Sequence, residues 1–418
     1  MWRKLIVLIV LFARPAHAER ILDLGGGTET AHVTNYLQSA TVLTNGTFFA
    51  TNSGAYATFP GGTVTVAAQA RLVFPDQDGS RNYLRVDRPG ACRMLLDGGI
   101  WEVFSHRDAD NYSHYWGYGG DPDVAPVLEV RNGGRFHLGL PFGATSNGAV
   151  SNRYHFTLGY YGGRVPTATL LGRDAPDGGF TFDGRIYIGL KAYGIVACTN
   201  CAFAAENIVF GSLGVINGRT GGAALLSFAG GSRVTTKGFV QGANGTLAEV
   251  IFDDAVVCAR ASEPGDAVNA QTNFFGAAAG EKTYRLGPGG LLFDNAGLDV
   301  TLAQPFHGEG PLRLEGSGTT RIVCDQPFTG TLVLGRACAF RPARGLVFAG
   351  PVAVTDEAAL ERPAIPPGHN HVCLFSAPAI DGLAGRKDAQ HRHFFTLPGR
   401  AGLELHWGSR PGTELRVR

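Results

Sequence analysis

Apolar and polar residues alternate at a period of two in short runs along most of the chain. Thr63-Val64-Thr65-Val66, Tyr83-Leu84-Arg85-Val86, Val127-Leu128-Glu129-Val130, Tyr154-His155-Phe156-Thr157-Leu158 and Arg185-Ile186-Tyr187-Ile188 show it in the first half. Leu298-Asp299-Val300-Thr301-Leu302, Leu312-Arg313-Leu314 and Thr331-Leu332-Val333-Leu334 show it later. Successive side chains of a strand point to opposite faces, so this pattern predicts short β-strands with one buried face. In the last two runs Leu312, Leu314, Leu332 and Leu334 form the inward set, and Arg313 and Val333 the outward one. With 60 Gly and 22 Pro in 418 residues, no long stretch is both free of helix breakers and periodic at 3.6 residues, which excludes a mostly helical protein. The predicted class is all-β.

The strands recur in units. An apolar strand, a tight Gly turn and a second strand appear as MLLDGGIWEVF from Met94, VLEVRNGGRFHLG from Val127, HFTLGYYGGRV from His155 and LLSFAGGSRVTTKG from Leu225. The Gly pairs at 61–62, 98–99 and 133–134 fall 37 and 35 residues apart. A second signature, a β-branched strand followed by two spaced Gly, occurs as IYIGLKAYG from Ile186, NIVFGSLGVING from Asn207 and KGFVQGANG from Lys237. Such self-similarity points to stacked repeats, because one short strand cannot bury its apolar face alone whereas stacked copies share a continuous core. The alternative organisation is two β-sandwiches in series.

Within 286–342 the residues carry a resemblance. His307-Gly308-Glu309-Gly310-Pro311-Leu312, Gly316-Ser317-Gly318-Thr319-Thr320 and Phe328-Thr329-Gly330-Thr331-Leu332-Val333 resemble the autotransporter-associated β-strand repeat, and residues 180–257 resemble the looser strand-Gly-Gly repeats of the same large exported proteins. The resemblance implies a right-handed parallel β-helix, a passenger on or beyond a bacterial outer surface. It implies no catalytic residues, since the repeat defines a fold. Two features of the repeat's exported relatives are not seen: a C-terminal series of alternating strands able to build a membrane barrel, typically of 8 or more strands, and a sorting segment. At roughly 20–25 residues per rung the chain would make about 16–20 rungs, a rod of roughly 80–95 Å. The division expected is a signal peptide over 1–18, a solenoid over 19–345, and terminal rungs with a C-terminal cap over 346–418, where Pro351, Pro363, Pro366, Pro367 and Pro378 change the texture.

The N-terminus changes the expected address. Met1-Trp2-Arg3-Lys4, the apolar run Leu5–Ala13 and Ala16-His17-Ala18 read as a secretory signal cleaved before Glu19. The run is shorter than the roughly 20 apolar residues a bilayer requires, and no later segment reaches that length. The formal net charge of +1 gives no electrostatic reason for binding nucleic acid or an anionic membrane. An exported chain, at the cell surface or beyond it, is therefore expected to meet cell-surface glycans or other envelope proteins.

Candidate chemistry is sparse. The seven cysteines are odd in number and irregular in spacing, and Cys198-Thr199-Asn200-Cys201 supplies only half of a structural zinc site. They read as buried small hydrophobes, with one or two disulfides and metal or redox work as alternatives. Asp253-Asp254 and His307-Gly308 loosely match the acids and His of β-helix polygalacturonases, but the motif order is not met and the acidic pair reads as a turn. His369-Asn370-His371 and His391-Arg392-His393 would each put two imidazoles on one strand face, as a metal chelate needs, or else are surface turns.

The densest unusual stretch is Trp101–Asp123. Trp101, Phe104, Tyr112, Tyr115, Trp116 and Tyr118 stand there with Glu102, Asp108, Asp110, Asp121 and Asp123. It breaks the Gly rhythm and reads as a long loop leaving the stack. Aromatic faces stack on sugar rings, and carboxylates accept hydroxyl bonds or bind Ca²⁺ through oxygen, so Trp101, Asp108, Asp110, Tyr112, Tyr115, Trp116 and Tyr118 form the candidate ligand-binding set, with Ca²⁺ as an alternative ligand of the acids. The same rings could instead pin the loop against the wall. No cofactor, metal or catalytic residue is assigned. The expected function is that of an exported, non-enzymatic β-solenoid with an adhesive or structural role. The alternatives are a polysaccharide-active β-helix enzyme and a catalytically silent carbohydrate-binding protein.

Overall fold

Short strands of alternating side chains need neighbours on both edges, and here the neighbours come from the next repeat. A computed structural model describes residues 20–32, 41–51, 56–57, 62–74, 83–86, 92–104, 112–116, 126–139, 154–159, 167–190, 192–211, 222–242, 247–261, 273–276, 282–335, 338–356, 360–399 and 401–410. Among these residues every regular element is a β-strand. Among the described residues no helix is long and apolar enough to cross a membrane.

The pairings form three parallel ladders. The first begins with Arg20–Asp23, Thr41–Thr44, Gly62–Ala67, Cys92–Asp97 and Val127–Arg131. It continues through the front halves of the long strands Thr167–Phe182, Tyr193–Ala205, Ala223–Thr236 and Leu247–Ala259, and ends with Lys282–Leu286 and Phe306–Gly308.

The second ladder runs Thr28–His32, Gly46–Thr51, Ala70–Phe74, Ile100–Phe104, Arg135–Gly139. The back halves of the same four long strands follow, then Leu291–Asp294, Leu312–Glu315, Leu332–Leu334, Val352–Val354 and Ile380–Asp381. That is a stack of fourteen strands. The third ladder joins Tyr56–Ala57, Tyr83–Val86, Tyr112–Trp116, Tyr154–Leu158, Arg185–Ile188, Ile208–Phe210 and Phe239–Gln241. On the same side of later repeats lie Val300–Leu302, Thr319–Ile322 and Ala339–Pro342.

Parallel register aligns like with like. On the first ladder the inward positions Thr41, Val64, Met94, Leu128, Leu170, Val196, Leu226, Val250, Tyr284 and Phe306 are successive partners, and all are buried. On the second, Phe48, Leu72, Trp101, Phe136, Phe180, Phe203, Val234, Val257, Phe293, Leu314, Leu334 and Val354 do the same. Rings meet along this column at centroid distances of 5.0 Å (Trp101–Phe136) and 6.0 Å (Phe180–Phe203). The inward assignment of Leu312, Leu314, Leu332 and Leu334 is borne out: all four are fully buried, and the Arg313 side chain is 54 % exposed.

The corner between the first two ladders explains the turn residues. Gly98, Asn132, Asp174, Asn200, Gly230 and Asp254 follow aligned positions in successive layers, and each has a positive φ. Asn and Asp tolerate this left-handed backbone better than other side chains do, and Gly adopts it freely. Gly134, just after one such corner, has no room for a Cβ against the carbonyl of Leu96 in the preceding layer. The units from Met94, Val127 and Leu225 share this corner. The unit from His155 belongs to the third ladder instead, and Gly62 opens a first-ladder strand, so the spacing of 37 measured from 61–62 joins two different corners. The 35-residue spacing is a true register, with Ile100 opposite Arg135. From Leu291 to Val352 partners stand 20 or 21 residues apart, as Leu291↔Leu312, Leu312↔Leu332 and Leu332↔Val352 show, and the last step, Val352↔Ile380, spans 28. The longer earlier layers are why the second ladder has fourteen strands among the described residues, below the 16–20 expected.

Outer faces carry ion pairs between adjacent layers: Arg71 with Glu102, Arg93 with Glu129, and Arg131 with Asp97 at 2.7 Å. Another pair is internal. Lys237 Nζ donates to Glu206 Oε1 at 2.7 Å, with both side chains buried. The parallel rule ends at the C-terminus. His371–Ala377 pairs in parallel with Leu346–Val347 but antiparallel with Gly402–Gly408, which pairs antiparallel with His393–Gly399.

Candidate functional site

The described part of the Trp101–Asp123 stretch does not leave the stack. Trp101 lies in Ile100–Phe104 at its place in the second ladder's aromatic column, and Trp116 ends the third-ladder strand Tyr112–Trp116. Both indoles are fully buried, their rings 6.1 Å apart edge to face, and Trp101 also meets Phe74 at 5.7 Å. A ring without exposed surface offers no face to a sugar, so for Trp101 and Trp116 the ligand-facing expectation gives way to packing. Tyr112 and Tyr115 sit on the same strand, Tyr112 opposite Tyr154 and Tyr115 opposite Thr157. Asp108, Asp110 and Tyr118 lie outside the described residues. Glu102 is buried and bound to Arg71, a wall contact.

The acidic pair is a corner. Asp254 holds the left-handed position, and Asp253 Oδ1 accepts from Gly289 N at 2.6 Å, bracing the next layer's turn. His307 is exposed on the first ladder, opposite Arg285. The Cys198–Cys201 pair brackets the corner at Asn200. Both thiols are buried, and both crowd the space where Gly172 lacks a Cβ. A hydrogen bond from Cys201, together with burial, pushes the Cys198 thiol well up, which keeps it protonated and inert. The described cysteines are all free thiols, and five of the seven are buried, Cys92 held up to about 12 by burial alone.

A mixed cluster forms on the C-terminal sheet. Of the two readings of the His-x-His pairs, a shared strand face does not form, and one histidine of each pair lies in a turn. His369 lies in an exposed turn with its Nδ1 3.2 Å from the Pro367 carbonyl, and His391 sits in a turn with positive φ. His371 and His393 do lie on strands, and register sets both opposite Gly408. One step along the same face, His406 stands between Cys373 and Phe395, and Glu404 follows two residues earlier on its strand. Ligand atoms of Cys373, Glu404 and His406 all lie within 4.8 Å of one another.

His406 is only 5 % exposed, and Phe395 stacks on its ring at 5.5 Å and 15°. His406 Nε2 lies 3.2 Å from Glu404 Oε2. Burial holds the imidazole below its usual range, and the bond to Glu404 only partly offsets this, so the ring is neutral near pH 7. Burial, with Glu404 adding to it, pushes the Cys373 thiol up to about 11. The opposite face of this sheet, with Val372, Phe394, Leu405 and Trp407, belongs to the core.

Sequence reading missed this set, although its signal was present. His371-Val372-Cys373 and Glu404-Leu405-His406 are both i, i+2 pairs, each placing two ligand-type side chains on one strand face. What joins them is an antiparallel register between segments some thirty residues apart, which spacing alone does not give. Compared with known proteins, the chain matches no family model, no curated protein and no solved structure.

Proposed function

We propose that this chain is an exported, non-enzymatic right-handed parallel β-helix with an adhesive or structural role at or beyond the cell surface. The observation that carries the reading is the unbroken parallel register from Thr28–His32 to Ile380–Asp381, with buried side chains stacked layer on layer. Parallel neighbours within one sheet require crossover connections, and such connections are right-handed in about 98 % of cases. A stack whose interior is filled by its own side chains offers an extended, repetitive outer wall, which suits display and adhesion better than enclosure of a substrate. The basic, apolar and Ala-x-Ala pattern of residues 1–18 supports export. The corner role of Asp253-Asp254 speaks against the one carboxylate pair that a glycosidase reading would use. Recognition of surface glycans would then rest on Asp108, Asp110, Tyr112, Tyr115 and Tyr118, since Trp101 and Trp116 are committed to the core.

The test is expression of the full chain in a bacterial host, with fractionation, intact-mass analysis of the exported protein and a panel of polysaccharides. The reading expects a mature N-terminus at Glu19, retention on a cell-wall or glycan fraction, and no release of reducing ends. Release of sugar products by the purified chain would replace it with the enzyme reading, and retention of Met1 in a cytoplasmic fraction would remove the export claim.

A further inference from the structure

We propose that Cys373, Glu404 and His406 bind a borderline-soft divalent metal ion of the zinc class, clipping together the two central strands of the C-terminal sheet. Their placement follows from parity and register. Residues 404, 406 and 408 point to one side of Gly402–Gly408; 371 and 373 share that side of His371–Ala377, and 393 and 395 that of His393–Gly399. The three ligand atoms lie within 4.8 Å of one another. A filled tetrahedral site with bonds of about 2.0–2.3 Å brings its ligand atoms to roughly 3.3–3.8 Å, so closure asks only for side-chain rotation of about 1 Å.

Independent evidence of an unfilled coordination demand lies beside the set. Nδ1 of His406, of His371 and of His393 are each buried with no hydrogen-bond partner among the described residues. A buried polar nitrogen without a partner is costly, and three on one sheet face are unusual unless something pairs with them. His371 is the neighbour placed to offer a fourth ligand, its ring centroid 4.8 Å from that of His406. Phe395, stacked on His406, fixes the ring plane.

The donor chemistry selects the ion. A thiolate, an imidazole and one carboxylate suit zinc, cobalt or copper, while calcium and magnesium require mostly oxygen ligands. An activated-thiol reading is disfavoured by geometry, because Cys373 Sγ is directed to the Phe375 carbonyl at 3.9 Å. On binding, Cys373 gives its proton to solvent and the metal takes the sulfur lone pair. No electron is transferred.

The test uses the full chain, reduced, stripped with chelator and desalted, then titrated with Co²⁺ as a spectroscopic probe and with Zn²⁺ in thermal melts. One equivalent of Co²⁺ should produce a thiolate-to-cobalt charge-transfer band, and Zn²⁺ should raise the melting temperature by several degrees. Cys373→Ser should abolish both effects. His406→Asn and Glu404→Gln should each weaken binding at least tenfold, while Cys201→Ser and Cys258→Ser keep the band. Absence of the band at saturating Co²⁺, or its survival in Cys373→Ser with loss in Cys201→Ser, would overturn the proposal. Should Cys373→Ser fail to fold by circular dichroism, the two other ligand variants decide: unchanged affinity in folded His406→Asn and Glu404→Gln would equally overturn it.

Discussion

The ladders and the C-terminal sheet solve the same problem differently. In the ladders each strand meets a near-copy of itself, so apolar residues stack in columns and outer charges pair between layers, as Arg93 does with Glu129. In the C-terminal sheet the strands turn antiparallel, and only one face, with Val372, Leu405 and Trp407, feeds the core. The other face gathers Cys373, Glu404, His371, His393 and His406. Repetition builds a wall but repeats its chemistry as well. A site with unlike ligands forms where repetition stops and two different strands can be set side by side.

The comparison breaks first in the ladders. Leu314→Asp places an unpaired carboxylate in the second ladder's buried column and should cost at least about 4–5 kcal/mol, whereas Arg313→Glu, one residue away on the outer face, should cost under about 1 kcal/mol. Equal shifts in denaturant midpoint would refute the register. Trp116→Ala should lose about 3–5 kcal/mol, a core-sized loss; a change below about 1 kcal/mol would return this ring to a recognition role.

Lys237→Met removes the cation that Lys237 offers buried Glu206 and should cost about 3–5 kcal/mol, with Glu206→Leu added to it restoring part of the loss. If the double variant were no more stable than the single one, the pair would be doing more than neutralising itself.

How much of this could be read from the chain follows the same division. The inward leucines at 312, 314, 332 and 334 were legible because strand alternation is local, and the turn role of Asp253-Asp254 because Asp tolerates a left-handed corner. Trp101 was misread as part of a loop because its reason for being inside is a column of partners, Leu72 and Phe136, that stand 29 and 35 residues away. For the His-x-His pairs the turn alternative was the right one for His369 and His391, because strand parity does not run through the turns that hold them. The metal set needs the antiparallel register of Cys373 with His406, which no local spacing encodes.

A smaller effect lies on the outer wall. The hydrogen bond from Arg131 holds the Asp97 carboxyl below its ordinary range. A carboxylate with a lowered folded-state pKa contributes stability above the unfolded value of about 3.9, and that contribution disappears as pH falls through the lower folded value. Asp97→Asn should therefore flatten the acid side of the stability curve by under about 1 kcal/mol, because both partners are partly solvated. A stability difference between wild type and Asp97→Asn that stayed constant from about pH 6 to pH 2 would contradict the assignment.

The central claim, that the parallel ladders make one continuous β-helix, is tested most directly by small-angle X-ray scattering of the full chain. Fourteen strands at about 4.8 Å spacing give a stack of roughly 60–65 Å, so the account predicts a single rigid rod: a pair-distance distribution with one peak at the rod's width and a linear tail. A two-lobed distribution, the signature of two sandwiches on a flexible linker, would contradict it.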